Sequence, residues 1–306
     1  MNPSLAGQRI VVTGASGLVG RRLVAELEQA GATAIRAVRR PVQDTAREVF
    51  WDPDAGRIDA TRLEGVDAVV HLAGENIAGG RWTKSFKKKI RDSRVIGTRL
   101  IAEAIAGCSA KPQALVCASA IGYYGDRGEE TLNESSAPAN DFLGRVCQEW
   151  EAACQPARDA GVRVVNLRIG VVLSPEGGAL KKMLRPFKLG VGGKIGNGRQ
   201  YMSWVAIDDV AGVVAYALGN ENINGPVNVV APQPVTNAAF TKRLGRVLSR
   251  PTVAPMPAFA ARLAFGEMAD ALLLSSTRVA PQALMTAGYQ FRQPELESAL
   301  RHLLRR

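Results

Sequence analysis

A glycine motif, TGASGLVG over residues 13–20, constrains this chain more than any other feature. Gly14, Gly17 and Gly20 follow a β-branched run at 9–13. They precede a stretch in which Leu18, Leu23, Leu27 and Ala30 recur at helical spacing. Strand, glycine turn and helix in that order form a cradle for a phosphate. The first glycine permits the tight turn, the second lets backbone approach a pyrophosphate, and the third lets helix and strand pack closely. The helix N-terminus adds free N–H groups and partial positive charge. Gly14, Ser16, Gly17, Leu18, Val19 and Gly20 are therefore the expected dinucleotide-phosphate site.

The pattern continues. Gly31 ends the helix, and a second strand at 34–38 completes a βαβ unit. An apolar run at 68–72, a basic helix over 82–106, a strand at 114–118, a helix over 142–160 and a strand at 162–169 extend the alternation. This predicts an α/β fold, a doubly wound parallel sheet of the Rossmann type. Past Gly170 the texture turns glycine- and proline-rich with short helical patterns. The expected division is a dinucleotide-binding domain over 7–170 and a smaller α/β substrate lobe over 171–306, with strands open to exchange between them.

About twenty residues after the glycines, an NAD-selective site places a carboxylate on the adenine ribose hydroxyls. This chain has Arg39 and Arg40 there. A carboxylate would repel a 2′-phosphate, whereas guanidinium groups neutralise it, so NADP (NADPH) is expected over NAD.

The net charge of +11 fits a phosphate-bearing ligand. Much of it lies in 81–99, where Arg81, Lys84, Lys87, Lys88, Lys89, Arg91, Arg94 and Arg99 face the single acid Asp92. With only Trp82 and Phe86 as aromatics and no recognised binding module, the run reads as a solvated helix face, and nucleic acid is not the expected partner. Four scattered cysteines without a CxxC pair read as reduced core thiols of a cytoplasmic protein. Two histidines, His71 and His302, argue against a histidine-rich metal site or a Ser-His-Asp triad, and no metal is expected. The N-terminal segment lacks an export signal, and no apolar run is long enough to span a membrane. The expected partner is a small-molecule substrate of a monomer or homodimer.

TGASGLVG, HLAG at 71–74, SAIGYYGD at 119–126 and WVAIDDVA at 204–211 together resemble the extended short-chain dehydrogenase/reductases of the NAD-dependent epimerase/dehydratase superfamily. AGENI at 73–77, RWT at 81–83, the segment 186–209 and the C-terminal extension are most similar to a poorly characterised epimerase-like family sometimes labelled cell-division inhibitor. The resemblance covers nearly the whole chain. It implies that Leu72, Ala73 and Gly74 pass close to the cofactor's phosphate-ribose bridge. It also implies that Arg94, in an NxxGT-like segment, faces the cofactor, and that Val171 and Val172 flank the nicotinamide.

The resemblance also exposes a gap. Such reductases use a tyrosine as acid/base, a lysine four residues on to lower its pKa, and a serine to orient the substrate oxygen. Ser119 stands where the serine belongs, but no YxxxK occurs anywhere. The usual tyrosine helix offers only Phe142 or Leu143 and no lysine. Tyr123 and Tyr124, directly after the serine strand, are the nearest proton donors, with Glu149 and Glu151 as weaker ones that usually form a solvated or ion-paired face. Met202 and Ser203 replace the Arg-Asp pair of sugar-nucleotide epimerases, which argues against a nucleotide-sugar substrate unless Lys194 or Arg199 compensates. Asp208 and Asp209 read as helix caps. The expected activity is NADP(H)-dependent oxidoreduction or epimerisation of a small carbonyl or hydroxyl compound. The alternative is a non-catalytic NADPH-binding sensor or scaffold.

Overall fold

A computed structural model describes residues 5–306; the first four residues, part of the segment read above for an export signal, lie outside it. Its centre is an eight-stranded sheet. The first half supplies β1 (Arg9–Thr13), β2 (Thr33–Val38), β3 (Glu48–Asp52), β4 (Arg57–Ile58), β5 (Ala68–His71) and β6 (Ala114–Ala120). After a short β7 (Thr131–Leu132) comes β8 (Arg163–Ile169), and beyond β9 (Val171–Leu173), β10 (Tyr201–Met202) and β11 (Trp204–Ala206) the strand β12 (Gly225–Val229) joins the same sheet. The order is β12-β8-β6-β5-β1-β2-β3-β4, parallel throughout except for the β3–β4 pair. The fold is thus the Rossmann-type α/β architecture read from the alternation.

Strand β1 shows why. Ile10 and Val12 enter the core on one face, with Leu23 and Leu27 of α1 (Leu18–Gln29), while Val11 enters the other. The opposite face takes Ile101 and Ile105 of α2 (Lys84–Ala106). A strand buried on both faces reads as a continuous apolar run. The sheet departs from β1 in two directions, to β2 and to β5, so a crevice opens between the carboxyl ends of those strands.

Two boundaries differ from the periodicity. Helix α2 begins at Lys84 because Thr83 caps it, accepting from the Phe86 N–H. The helix expected over 142–160 is broken into α3 (Phe142–Ala152) and α4 (Gln155–Asp159), with Pro156 in the first turn of the second piece.

The later part builds its own core. Trp204, Phe240, Leu180 and Phe187 pack among α5 (Gly178–Lys188), α7 (Asn237–Leu248) and the last helix, Leu296–Leu304. Helix α6 (Ile207–Gly219) instead packs on α1. Asp208 and Asp209 do not cap α6. Asp208 pairs with Arg22 of α1 at 2.6 Å and with His302 at 3.0 Å, and Asp209 accepts the backbone N–H groups of Arg292 and Gln293. These carboxylates tie the C-terminal segment to the sheet's helical layer. Among the described residues no helix is long and apolar enough to cross a membrane, and no cluster of His, Cys, Asp and Glu could hold a metal ion. All four cysteines are buried and unpaired.

Candidate active site

The glycine loop lies at the crevice between β1 and β5. Gly14 has φ +67°, and a Cβ there would stand 2.9 Å from the Ala73 nitrogen. A Cβ on Gly20 would stand 2.1 Å from the Gly14 carbonyl oxygen. Only hydrogen fits at either place, so the loop lies flat against the end of β5 and against its own helix. Thr13 Oγ1 accepts from the N–H groups of Leu72 and Ala73 and bonds His71 Nδ1 at 2.7 Å. No side chain caps α1 at Gly17, leaving the first-turn amides of Leu18, Val19 and Gly20 for an anion. The loop opens on a cleft of about 1400 Å³ lined by Gly14 to Gly17, the end of β2, Leu72 to Asn76, and Lys88 and Lys89 of α2.

The two arginines at the end of β2 are not equivalent. Arg40 forms a two-pronged pair with Glu48, whose carboxylate also accepts the Gln43 and Asp44 N–H groups. The Arg40 guanidinium, followed by these amides, pulls the Glu48 pKa down to about 2. Arg39 is 70 % exposed, and its one ion pair, to Asp54, spans 3.9 Å. Of the two, Arg39 presents the more exposed and less tightly held guanidinium to the cleft.

Ser119 lies one residue before the carboxyl end of β6, the neighbour of β5 in the sheet. Its Oγ donates to Glu151 Oε1 at 2.7 Å. Arg168, from β8, meets both oxygens of Glu151 at 2.9 Å and donates to the Tyr124 hydroxyl and the Glu134 carbonyl. Tyr124 in turn donates to Asn228 Oδ1 at 2.7 Å. Tyr124 is fully buried, its hydroxyl is engaged by Arg168 and Asn228, and burial pushes its pKa up to about 12. Tyr123 is half-buried, its ring stacked 3.4 Å from the Arg168 guanidinium. Leu143 and Cys147, one turn apart on α3, press against Gly122 beyond β6. Burial pushes the Cys147 thiol up to about 12, so that face of α3 offers an isobutyl group and a neutral thiol.

Residues 10–230 match the NAD dependent epimerase/dehydratase family, and residues 256–303 match a domain of unknown function, DUF1731. The chain belongs to the NAD dependent epimerase/dehydratase family. An epimerase family protein of Mycobacterium bovis is 43 % identical over 296 residues, 97 % of each chain. The crystal structure of human epimerase family protein SDR39U1 (isoform 2) with NADPH superposes with a TM-score of 0.90 at 34 % identity, covering 97 % of this chain and 99 % of that one. A nucleoside-diphosphate sugar epimerase structure from Corynebacterium glutamicum gives a TM-score of 0.82 at 38 % identity, covering 99 % of this chain and 59 % of that one.

Within this epimerase/dehydratase frame the structure gathers Gly14, Ser16, Gly17, Leu72, Ala73, Gly74 and Arg39 around one cleft, with Arg40 turned to Glu48. Val172 stands on β9, paired with Val205 of β11, and Met202 and Ser203 lie on and just after β10. Ser203 is buried, bonding the Thr277 carbonyl and the Val279 N–H. Arg168, Glu134 and Asn228 escaped sequence reasoning. Arg168 lies inside an apolar strand, where the visible signal was a charged residue in RVVNLRI that must find a partner.

Proposed function

We propose that this chain is an NADP(H)-dependent oxidoreductase or epimerase of a small carbonyl or hydroxyl compound. The observation that carries the reading is the cradle, where Gly14 and Gly20 leave no room for a Cβ beside an uncapped helix N-terminus. These residues fit a dinucleotide pyrophosphate. The loop Gly14 to Gly20 holds it, Leu72 to Gly74 pass beneath the phosphate-ribose bridge, and Val172 flanks the nicotinamide. Arg39 takes the 2′-phosphate, while Arg40 anchors Glu48 and shapes the end of β2. NADPH in the human relative's structure supports the coenzyme assignment. The bound nicotinamide supplies hydride chemistry.

The chain's own residues then handle the proton. Because Ser119 gives its hydrogen to Glu151, its oxygen lone pairs are left to accept from a substrate hydroxyl, which orients that group. Glu151 is fixed in place by the two-pronged contact with Arg168. The same guanidinium positions the ring of Tyr123, the tyrosine of the pair that is not fully buried and the residue proposed to exchange a proton with the substrate oxygen.

A second reading is favoured by one observation: the α3 face toward β6 presents Leu143 and a neutral Cys147. An NADPH-binding sensor without turnover needs nothing more. A panel of aldehydes, ketones and hydroxy compounds, followed by the absorbance of reduced nicotinamide, separates the two. Turnover abolished by Ser119→Ala supports the enzyme, and silence across the panel despite tight NADPH binding supports the sensor.

A further inference from the structure

Three arginines around α3 are held by partners from other segments. Arg168 is bound by Glu151, Tyr124 and the Glu134 carbonyl, and Arg91 by Glu149 and Asp92. Arg158 donates to the Glu151 carbonyl and to Asn166. Arg94 is different. Its Nη1 donates to the Ile90 carbonyl of its own helix at 3.0 Å, its guanidinium lies over the Trp150 ring at 5.0 Å, and the Cys147 thiol and the Glu75 carboxylate are its acidic neighbours. Burial lowers its pKa, so the protein tolerates a half-desolvated cation here with donors to spare. The guanidinium carbon lies 3.5 Å from where a Cβ on Gly74 would stand. Gly74 follows Ala73, whose backbone nitrogen lies against Gly14, so Arg94 borders the segment that leads away from the glycine loop. It is also near enough to Cys147 for its charge to favour the thiolate.

We propose that Arg94 supplies, from α2, the cationic contact to the nicotinamide-side ribose diol that α3, with Leu143 and Cys147 on its inner face, cannot supply. The proposal rests on the dinucleotide reading above. A guanidinium offers parallel N–H groups spaced for two oxygens on adjacent carbons, and stacking on Trp150 fixes its plane. The residue is a binding group for the ribose and, through it, positions the ring that reacts.

The test compares two ligands by calorimetric titration. NADPH carries the nicotinamide ribose; adenosine 2′,5′-bisphosphate carries only the adenine half. Arg94→Met is expected to weaken NADPH about 10- to 100-fold and leave the bisphosphate unchanged, with Arg94→Lys recovering part of the loss. Thermal unfolding of the unliganded variants checks their fold. Arg94→Gln, which can still donate to the Ile90 carbonyl, takes the place of Arg94→Met if the latter unfolds early. NADPH affinity unchanged in a folded variant, or both ligands weakened alike, overturns the proposal while leaving the dinucleotide reading standing. Wild-type protein that binds neither ligand overturns both.

Discussion

Ser119 donates a 2.7 Å hydrogen bond to the Glu151 carboxylate. What holds it is Arg168, only 3 % exposed in its side chain against 14 % for Glu151. The pair links the end of β6, helix α3 and the end of β8.

Removing one partner of such a pair strands the other without water. Glu151→Ala leaves Arg168 with no carboxylate, and about 3–5 kcal/mol of stability is expected to be lost. Urea denaturation measures it. A loss below about 1 kcal/mol shows that solvent or Tyr124 compensates and that the pair does not hold the site.

Arg39 and Arg40 are predicted to separate cleanly. Arg39→Met weakens NADPH at least about tenfold, the worth of a charge-assisted contact, and leaves NADH binding unchanged. Arg40→Met acts on folding instead. Glu48 titrates near 2 in the folded protein, below its ordinary 4.5, chiefly because of Arg40. Its contribution is therefore present above about pH 4.5 and lost as pH falls toward 2. Arg40→Met flattens the acid side of the stability profile in that window. An unchanged acid limb contradicts the assignment.

His71 gives a slope on the same side by the opposite charge. Burial lowers its pKa from 6.5 to about 4, so between those values the unfolded chain binds more protons than the folded one. Stability falls as pH drops from about 6.5 to about 4 and levels off below, by up to about 3 kcal/mol in all. His71→Gln removes that part of the slope. Denaturant midpoints across the window test it, and an identical slope in the variant rules His71 out as its source.

The Gly20→Ala substitution tests the cradle. Its Cβ would stand 2.1 Å from the Gly14 oxygen, which forces the loop off its helix. A stability loss of about 1–3 kcal/mol is expected, with NADPH affinity down at least about tenfold. A variant that binds as tightly as wild type shows that the loop is not the phosphate site.

Much of this was legible in the sequence because its signals are local. A β-branched run, glycines at fixed spacing and an amphipathic helix suffice for β1, the loop and α1, and repetition of the unit specifies a doubly wound sheet. The helix break at Pro156 was less visible, since apolar spacing runs on through it. Long-range pairings escaped altogether. Nothing near Asp208 announces Arg22, 186 residues away, so a first-turn acid read as a cap. Nothing near Arg40 distinguishes it from Arg39 until Glu48 folds beneath it. Tyr124 and Tyr123 are neighbours in sequence, and only the tertiary fold places one hydroxyl against Asn228 and Arg168 and leaves the other without those partners.

The central claim is that the glycine cradle and Arg39 receive a dinucleotide bearing a 2′-phosphate. Calorimetric titration of the unmodified chain with NADPH and with NADH at matched salt tests it most directly. The account predicts one saturable site for NADPH, weakened by rising salt and at least about tenfold tighter than that for NADH. Absence of NADPH binding, or equal affinity for the two coenzymes, contradicts it.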